Sequence, residues 1–330
     1  MNAGPPKLPF PVSSSVLDAA ALAAEIERTY PIAEPRTCRL YRSYTNDVYN
    51  LQTADSSYIV KVYLAGWRTY GEVAYELDVL THLRRRDVPV AAPLARHDGS
   101  LIGTVVAPEG ARVVVLFEAA TGAKPRPPFT PTLYYDFGQA AARLHSALDD
   151  FASPHPRVPL DFAYFLDRPL QMLAPYFVGR AADWDFLCNL AERARTRLGQ
   201  LVAAGLDWGV CHGDLTLDNL HVTADNTLVL YDFDSGGPGW RAADPYGVFQ
   251  FQTEEHNGVW DAFLAGYQEV RRFSATDIAA VPWFVALYII YGLGFDASLS
   301  VKRRGQWVVS DAYFDRELAR LRQWDATFLA

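Results

Sequence analysis

The stretch that decides the fold runs from Val210 to Gly239, VCHGDLTLDNLHVTADNTLVLYDFDSGGPG. It sets His212, Asp214 and Asn219 in an H-x-D-x-x-x-x-N arrangement, and Asp232 follows in a D-F-D triplet. Between Asn219 and Asp232 lie two short apolar runs, Leu220 to Val222 and Leu228 to Tyr231, joined by Thr223, Ala224, Asp225 and Asn226. Apolar runs around turn-forming residues predict an antiparallel hairpin. Paired strands lie roughly 5 Å apart, so Asn219 and Asp232, at the two ends of that hairpin, converge on one point. A carboxylate and an amide oxygen there suit a hard cation of Mg²⁺ type, which takes oxygen ligands, keeps waters and is completed by substrate phosphates. Asp214 stands on a tight loop beside that metal, where a carboxylate can orient a hydroxyl and accept its proton as it attacks a phosphoryl group.

Upstream of this stretch the pattern is different. Val16 to Tyr30 has helical spacing, and Tyr41 to Leu64 reads as strand, turn at Ala54 to Ser57, and a second strand YIVKVYL. Val73, Leu77, Leu80 and Leu83 recur on one face of a helix from about Gly71 to Arg86. Two strand-like runs follow, Leu101 to Ala107 and Ala111 to Phe117. The segment after Glu118, AATGAKPRPPFTP, has the composition of a linker, which sets a boundary between a first lobe, 1–118, and a second, 119–330. Beyond it, helical spacing marks Leu133 to Leu148, Trp184 to Ala203, Gly258 to Arg272, Ile278 to Leu293 and Asp311 to Leu329. The first 15 residues, with four prolines and three serines, read as a loose arm.

Composition narrows the function. With 30 Lys+Arg against 38 Asp+Glu the net charge is −8, which disfavours nucleic acid as a partner. Cys38, Cys188 and Cys211 are too few and too scattered for a disulfide framework or a zinc site, and the opening residues lack a secretory pattern. A cytoplasmic setting is expected. The uncharged run of 18 residues from Ile278 to Phe295 reaches the lower length for a membrane span. Pro282, Gly292, Gly294 and the missing basic flanks favour a buried helix and no membrane.

HGDLTLDN followed by DFD matches the kinase signature of a catalytic loop and a metal-binding triplet. The segment resembles the aminoglycoside phosphotransferase and choline kinase superfamily, whose members have a protein-kinase-like fold and usually read HGD. YRSYTNDVYNLQ and VKVYLAGWRTYGEVAYELDVLTHLRRRDVPVAAPL are closer to bacterial stress-response serine/threonine kinases, with homoserine kinase type II more distant. The likeness spans Tyr41 to Phe249. It implies an α/β (α+β), bilobed fold: a small antiparallel-sheet lobe with one key helix, and a larger, mainly helical lobe.

The same likeness implies the cofactors ATP and Mg²⁺ and a set of binding residues. Lys61, a lone charge in YIVKVYL, takes the phosphate-binding position. Its expected partner is Glu76, on the apolar face with Val73 and Leu80, with Glu72 the alternative one turn earlier. The loop RSYTND, which lacks G-x-G-x-x-G, offers Ser43, Thr45 or Asn46 to the phosphates, and adenine is expected near Phe117 to Ala120, with Glu118 and Ala120 as contacts. Asp244 is implied to cap the catalytic loop. His212 reads as a core histidine, since Asp214 already holds the base position. Trp240, Tyr246, Trp283 and Tyr288 read as core, with a substrate pocket as the alternative.

The expected activity is ATP- and Mg²⁺-dependent phosphoryl transfer to a hydroxyl of a small molecule: an aminoglycoside, amino alcohol, homoserine or sugar-like compound. Asp244 follows Asp232 by only 12 positions, little room for a peptide-docking activation segment. The competing expectations are a protein serine/threonine kinase of the stress-response type and a nucleotide-binding pseudokinase.

Overall fold

The computed structural model describes residues 10–254 and 258–330. The chain divides into two compact units. One comprises the described residues up to Tyr70 with Pro93–Ala119, the other Gly71–Ala92 with Ala120–Ala330.

In the first unit, helix α1 (Ala19–Thr29) lies on five antiparallel strands: β1 (Thr37–Ser43), β2 (Asn46–Gln52), β3 (Ser57–Tyr63), β4 (Gly103–Ala107) and β5 (Gly110–Glu118). Their order is β1-β2-β3-β5-β4. Side chains alternate between the faces of a strand, so one face is filled by every second residue. Tyr49 and Leu51, Val60 and Val62, and Val114 and Leu116 supply that face and meet Leu22, Ile26 and Tyr30. Lys61, between Val60 and Val62, therefore stands on the opposite face.

The strand pattern read as one strand from Tyr41 is corrected here, while the loop RSYTND implied by the resemblance falls at the observed turn. The chain turns at Tyr44 and Thr45, and the run becomes β1 and β2, paired Ser43 to Asp47. The N-terminal arm is also tied at its end. Ser15 donates from N–H and Oγ to Glu109 at 3.1 and 2.7 Å, and its carbonyl accepts from Arg112 at 2.8 Å. Residues 1–9 lie outside the described residues.

The second unit begins with helix α2 (Tyr70–Arg85), the helix expected in the first lobe. Its anchors explain its grouping: His82 Nε2 meets the Ala147 carbonyl at 2.8 Å, and Asp78 accepts from Ser153 Oγ at 2.6 Å. Helices α3 (Pro131–Ala147), α4 (Arg168–Leu173) and α5 (Ala181–Ala203) precede the strands β6 (Trp208–Cys211), β7 (Leu220–Val222), β8 (Leu228–Leu230) and β9 (Gly237–Trp240). After these come α6 (Tyr246–Glu254), α7 (Val259–Val270), α8 (Ala275–Phe295), α9 (Val301–Arg304) and α10 (Asp311–Trp324). Strand β6 pairs with β9, and β7 pairs with β8 as the predicted hairpin.

Helix α8 carries the long uncharged run. It starts at a capping box, with Ser274 Oγ accepting from Asp277 N and Asp277 accepting from Ser274 N. Together with its continuation to Arg304 it is long and apolar enough to cross a membrane, and 56% of its apolar window is buried inside the protein. It packs on α4, α5, α6 and α10. Helices α3 and α7 touch backbone to backbone: a Cβ at Gly138 would lie 2.0 Å from the Phe263 carbonyl oxygen, and one at Gly266 the same distance from that of Tyr135.

Where α3 and α7 meet the strands, three polar side chains share the interior. His145 Nε2 lies 2.9 Å from Asp244, and its Nδ1 2.8 Å from the Tyr267 hydroxyl. Burial pushes the His145 pKa down despite the carboxylate beside it. Burial alone would raise Asp244, but the hydrogen bonds from His145 and the Gly213 N–H bring it below the ordinary value. The pair is thus a neutral imidazole donating to a carboxylate, with Tyr267 donating to the other ring nitrogen.

Two predictions follow from this packing. Gly266→Ala should lower unfolding stability by at least about 2 kcal/mol, because the added methyl meets backbone. Gly199→Ala, on α5 with nothing within 4 Å of a built Cβ, should raise it by up to about 1 kcal/mol. Urea midpoints of the two variants test this, and a stable Gly266→Ala would refute the close approach. The second prediction concerns acid. Both depressed groups favour the native state above their ordinary pKa values and lose that contribution as pH falls. Loss should begin below about 6.5, where unfolded His145 takes a proton the buried ring refuses, and deepen below about 3.9 as Asp244 follows. Stability measured from pH 8 to pH 4 should fall less steeply through the histidine range in His145→Gln than in the parent.

Candidate active site

Strand β6 delivers the chain into the loop that carries Asp214. Asp244 fixes the start of that loop by accepting from the backbone N–H of His212 at 2.7 Å and of Gly213 at 2.8 Å. Gly213 has φ +78°, and a Cβ there would sit 2.2 Å from the Ser235 carbonyl oxygen, so the middle residue of H-G-D has room for no side chain. His212 is enclosed. Its Nδ1 accepts from the Asp214 N–H at 3.3 Å, its Nε2 donates to the Tyr231 carbonyl at 3.1 Å, and its ring lies 4.3 Å from that of Phe233. The core reading of His212 stands.

Asp214 and Asn219 meet directly. A 3₁₀ turn over Leu217–Asn219 lets the Asn219 side-chain amide donate to the Asp214 carbonyl at 2.9 Å and to its carboxylate at 2.8 Å. With the amide nitrogen so committed, Oδ1 remains the acceptor end. The Tyr231 N–H bonds to the Asn219 carbonyl at 3.0 Å, extending the hairpin by one pair and placing Asp232 next in line. Segments on either side hold the hairpin: Val90 bridges to Leu230, and Ala123 to Val222.

Asp232 has φ 64° and ψ 62°, the left-handed region, which costs a residue with a Cβ roughly 1–2 kcal/mol. Such conformations persist where surrounding bonds over-determine them, and they gather at functional sites. Asn219 and Asp232 offer hard oxygen donors, the set that suits an ion of Mg²⁺ or Ca²⁺ type completed by water and phosphate. Among the described residues, no group of three or more His, Cys, Asp or Glu gathers to hold a metal.

Beside this loop stands an aromatic wall. Tyr288 donates to the Gly213 carbonyl at 3.0 Å, and its ring stacks on Tyr246 at 3.6 Å between centroids and 7° between planes. Burial, followed by the charges of Asp214 and Asp244, pushes the Tyr246 hydroxyl pKa up, so it stays neutral. Phe165 lies 4.9 Å from Tyr288, and Tyr164 stacks on Tyr291 with the two hydroxyls 2.8 Å apart. Of the aromatic residues singled out in the sequence, Tyr246 and Tyr288 border the loop. Trp240 packs inside on Phe162 and Trp208, and Trp283 meets Arg193. Tyr164 and Phe165 were missed, because no periodic signal marks the irregular turns around them. A cavity of about 330 Å³ lined by Tyr75, Phe151, Trp208 and Arg241, among others, contains none of the predicted site residues.

The other predicted residues divide between the units. Lys61, Ser43, Asn46 and Glu118 belong to the first, Glu76 and Ala120 to the second. Lys61 is 6% exposed with its ammonium 5.0 Å from the Tyr63 ring, and Glu76 is 2% exposed. Ser43 donates to the Asp47 carboxylate at 2.6 Å, and Asp47 forms a fully buried ion pair with Arg112 at 2.8 Å. This pair, missed in the sequence, ties the β1–β2 turn to β5. Asn46 is buried, with its amide nitrogen 3.5 Å from Thr45 Oγ1. Glu118 ends β5 opposite Tyr58, and the Ala120 carbonyl already meets His221 Nδ1 at 2.9 Å.

Comparison with known proteins agrees with this geometry. An uncharacterized protein of Deinococcus radiodurans is 38% identical over 326 residues, covering 96% of this chain and 92% of its own length. A homoserine kinase of Mesorhizobium japonicum is 27% identical over 253 residues, 72% of each chain. Among solved structures, an amicoumacin kinase in complex with AMP-PNP, Ca²⁺ and Ami superposes with a TM-score of 0.76 at 19% identity over 95% of both chains. The fold is therefore kinase-like. Residues 37–278 match the phosphotransferase enzyme family, the superfamily that the H-G-D and D-F-D segments resemble, and the chain belongs to it.

Proposed function

We propose that the protein transfers the terminal phosphoryl group of ATP to a hydroxyl of a small molecule. The observation that carries this reading is the 2.8 Å contact by which Asn219 holds the Asp214 carboxylate, with Asp232 one residue beyond the paired end of the same hairpin. In this reading the acceptor oxygen bonds to the terminal phosphorus, the bridging oxygen leaves with ADP, and the hydroxyl proton passes to Asp214. Asn219 and Asp232 would hold the divalent ion, which supplies charge neutralisation at the phosphates. Lys61 and Glu76 are assigned to the nucleotide on the family pattern, together with the backbone of the turn at Ser43 to Asn46 and of Glu118 to Ala120.

A small acceptor is favoured by what fills the gap from Asp232 to Asp244. Those residues form a 3₁₀ turn, strand β9 paired to β6, and a second turn, all mostly buried. They leave no free segment to dock a peptide. The homoserine kinase likeness favours a hydroxylated small molecule that carries nitrogen, and Tyr246 and Tyr288 border the loop beside which it would sit.

Asp214→Asn should retain nucleotide binding and lose turnover about 10²–10⁴-fold. Steady-state assays with calorimetry test this, and near-normal turnover would refute the base assignment. Asp232→Ala should weaken metal-dependent nucleotide binding in the same calorimetric titration. Incubating the protein with labelled ATP and a panel of amino alcohols, aminoglycosides and homoserine should give a labelled small product. Label confined to protein would overturn the acceptor class.

A further inference from the structure

Arg157 lies in an irregular segment between α3 and α4, outside every sequence motif. Its guanidinium reaches three backbone carbonyls: Nε donates to Gly236 at 2.6 Å, NH1 to Glu72 at 3.2 Å, and NH2 to Asp234. Two of these acceptors belong to the turn that follows Asp232. The third is in the first turn of α2, the helix of Glu76.

The backbone around this fork is shaped to receive it. Leu160 donates from N–H to the Pro238 carbonyl at 2.7 Å and bridges to Gly239, which lays the segment along β9. A Cβ at Gly237 would come 3.1 Å from Arg157 Cγ, and one at Gly71 3.0 Å from Pro156 Cδ. Both glycines thus let the segment approach closely. A planar guanidinium with five donors in a fixed fork serves carbonyls from two elements at once better than the single rotating ammonium of lysine.

Asp232 supplies the reason such a latch matters. Its left-handed backbone needs external bonds to persist. The turn after it closes on itself through Gly236 N–H to the Phe233 carbonyl at 2.9 Å. Arg157 holds the middle of that turn at Asp234 and its exit at Gly236, so the turn that follows Asp232 is braced from outside the motif.

We infer that Arg157 is a positioning residue for the metal-binding loop, locking the turn that aims Asp232 to the first turn of α2. This inference rests on Asp232 being a metal ligand. Loss of a group that orients a ligand costs about 10–100-fold in metal affinity. Arg157→Met should therefore weaken metal-dependent ATP binding, read by calorimetry against Mg²⁺ concentration, by about that factor, with KM for the acceptor nearly unchanged. Arg157→Lys should recover part of the loss. Without metal or nucleotide, amide exchange in Arg157→Met should accelerate at 233–236 and in the first turn of α2, and stay unchanged in α5. If Arg157→Met does not fold, Arg157→Lys is measured alone, and a Mg²⁺ dependence equal to the parent's overturns the inference. Unaltered metal dependence in a folded Arg157→Met also overturns it. Asp232→Ala run in parallel separates the two failures: if it too binds Mg²⁺ and ATP normally, the ligand assignment is lost as well, whereas a weakened Asp232→Ala beside a normal Arg157→Met removes the positioning role alone.

Discussion

The buried carboxylate of Asp244 is the constraint on which the loop of Asp214 depends. An anion shut away from water is tolerated only when its oxygens are met by donors, and Asp244 is met by the backbone N–H groups of His212 and Gly213 and by His145. Its own backbone leaves the turn of Arg241, whose carbonyl accepts from Asp244 N–H at 3.2 Å. Arg241 in turn belongs to a closed ring of charges. It pairs with Asp149 at 2.8 Å and Asp207 at 3.2 Å, and Arg271 pairs with the same two at 2.7 and 3.0 Å. The ring joins the end of α3, the entry to β6, the exit of β9 and the end of α7. Its guanidinium lies so flat on Gly209 that a Cβ there would meet Arg241 Cζ at 2.2 Å. Four distant chain segments are thereby held in one register, and the loop they hold is the one that carries Asp214.

From that fixed start, the rest of the site costs little further ordering. Once Gly213 is bonded to Asp244, the Asp214 N–H reaches His212, and the amide of Asn219 closes on the Asp214 carboxylate. The hairpin then returns the chain to the same point at Asp232. Groups already locked in place need no reorganisation when a reaction builds charge, which is the usual source of rate in phosphoryl transfer. The short path from Asp232 back to Asp244 makes the site a closed circuit of backbone.

Much of this circuit was legible because its determinants are local. Two apolar runs around Thr223 to Asn226 suffice for a hairpin, and the hairpin alone brings Asn219 to Asp232. Helix α8 was legible from its long uncharged run, whereas its Ser274 and Asp277 cap emerged only in the structure. What escaped has physical reasons as well. The turn at Tyr44 and Thr45 contains no glycine or proline, so the strand pattern alone hid a reversal that only the family resemblance placed there. Arg112 and Asp47 are 65 residues apart, and no spacing rule reports a buried ion pair across a sheet. Helix α2 has the expected apolar face, yet periodicity says nothing about which neighbours cover it. Its bonds to Ala147 and Ser153 place it in the second unit.

Helix α8 shows how core and site can be one object. Its composition is that of a segment made only to be buried, and its interior residues pack on four other helices. Yet Tyr288 turns a hydroxyl out of this helix to the Gly213 carbonyl and offers its ring to Tyr246, while Tyr291, one turn on, pairs with Tyr164. A hydroxyl surrounded by apolar groups stays protonated, since burial raises its pKa well above the ordinary value. At neutral pH it therefore donates to the loop. The apolar helix thus supplies a fixed, uncharged contact to the loop that carries Asp214. A wall of this kind fixes one flank of that loop without adding charge to it.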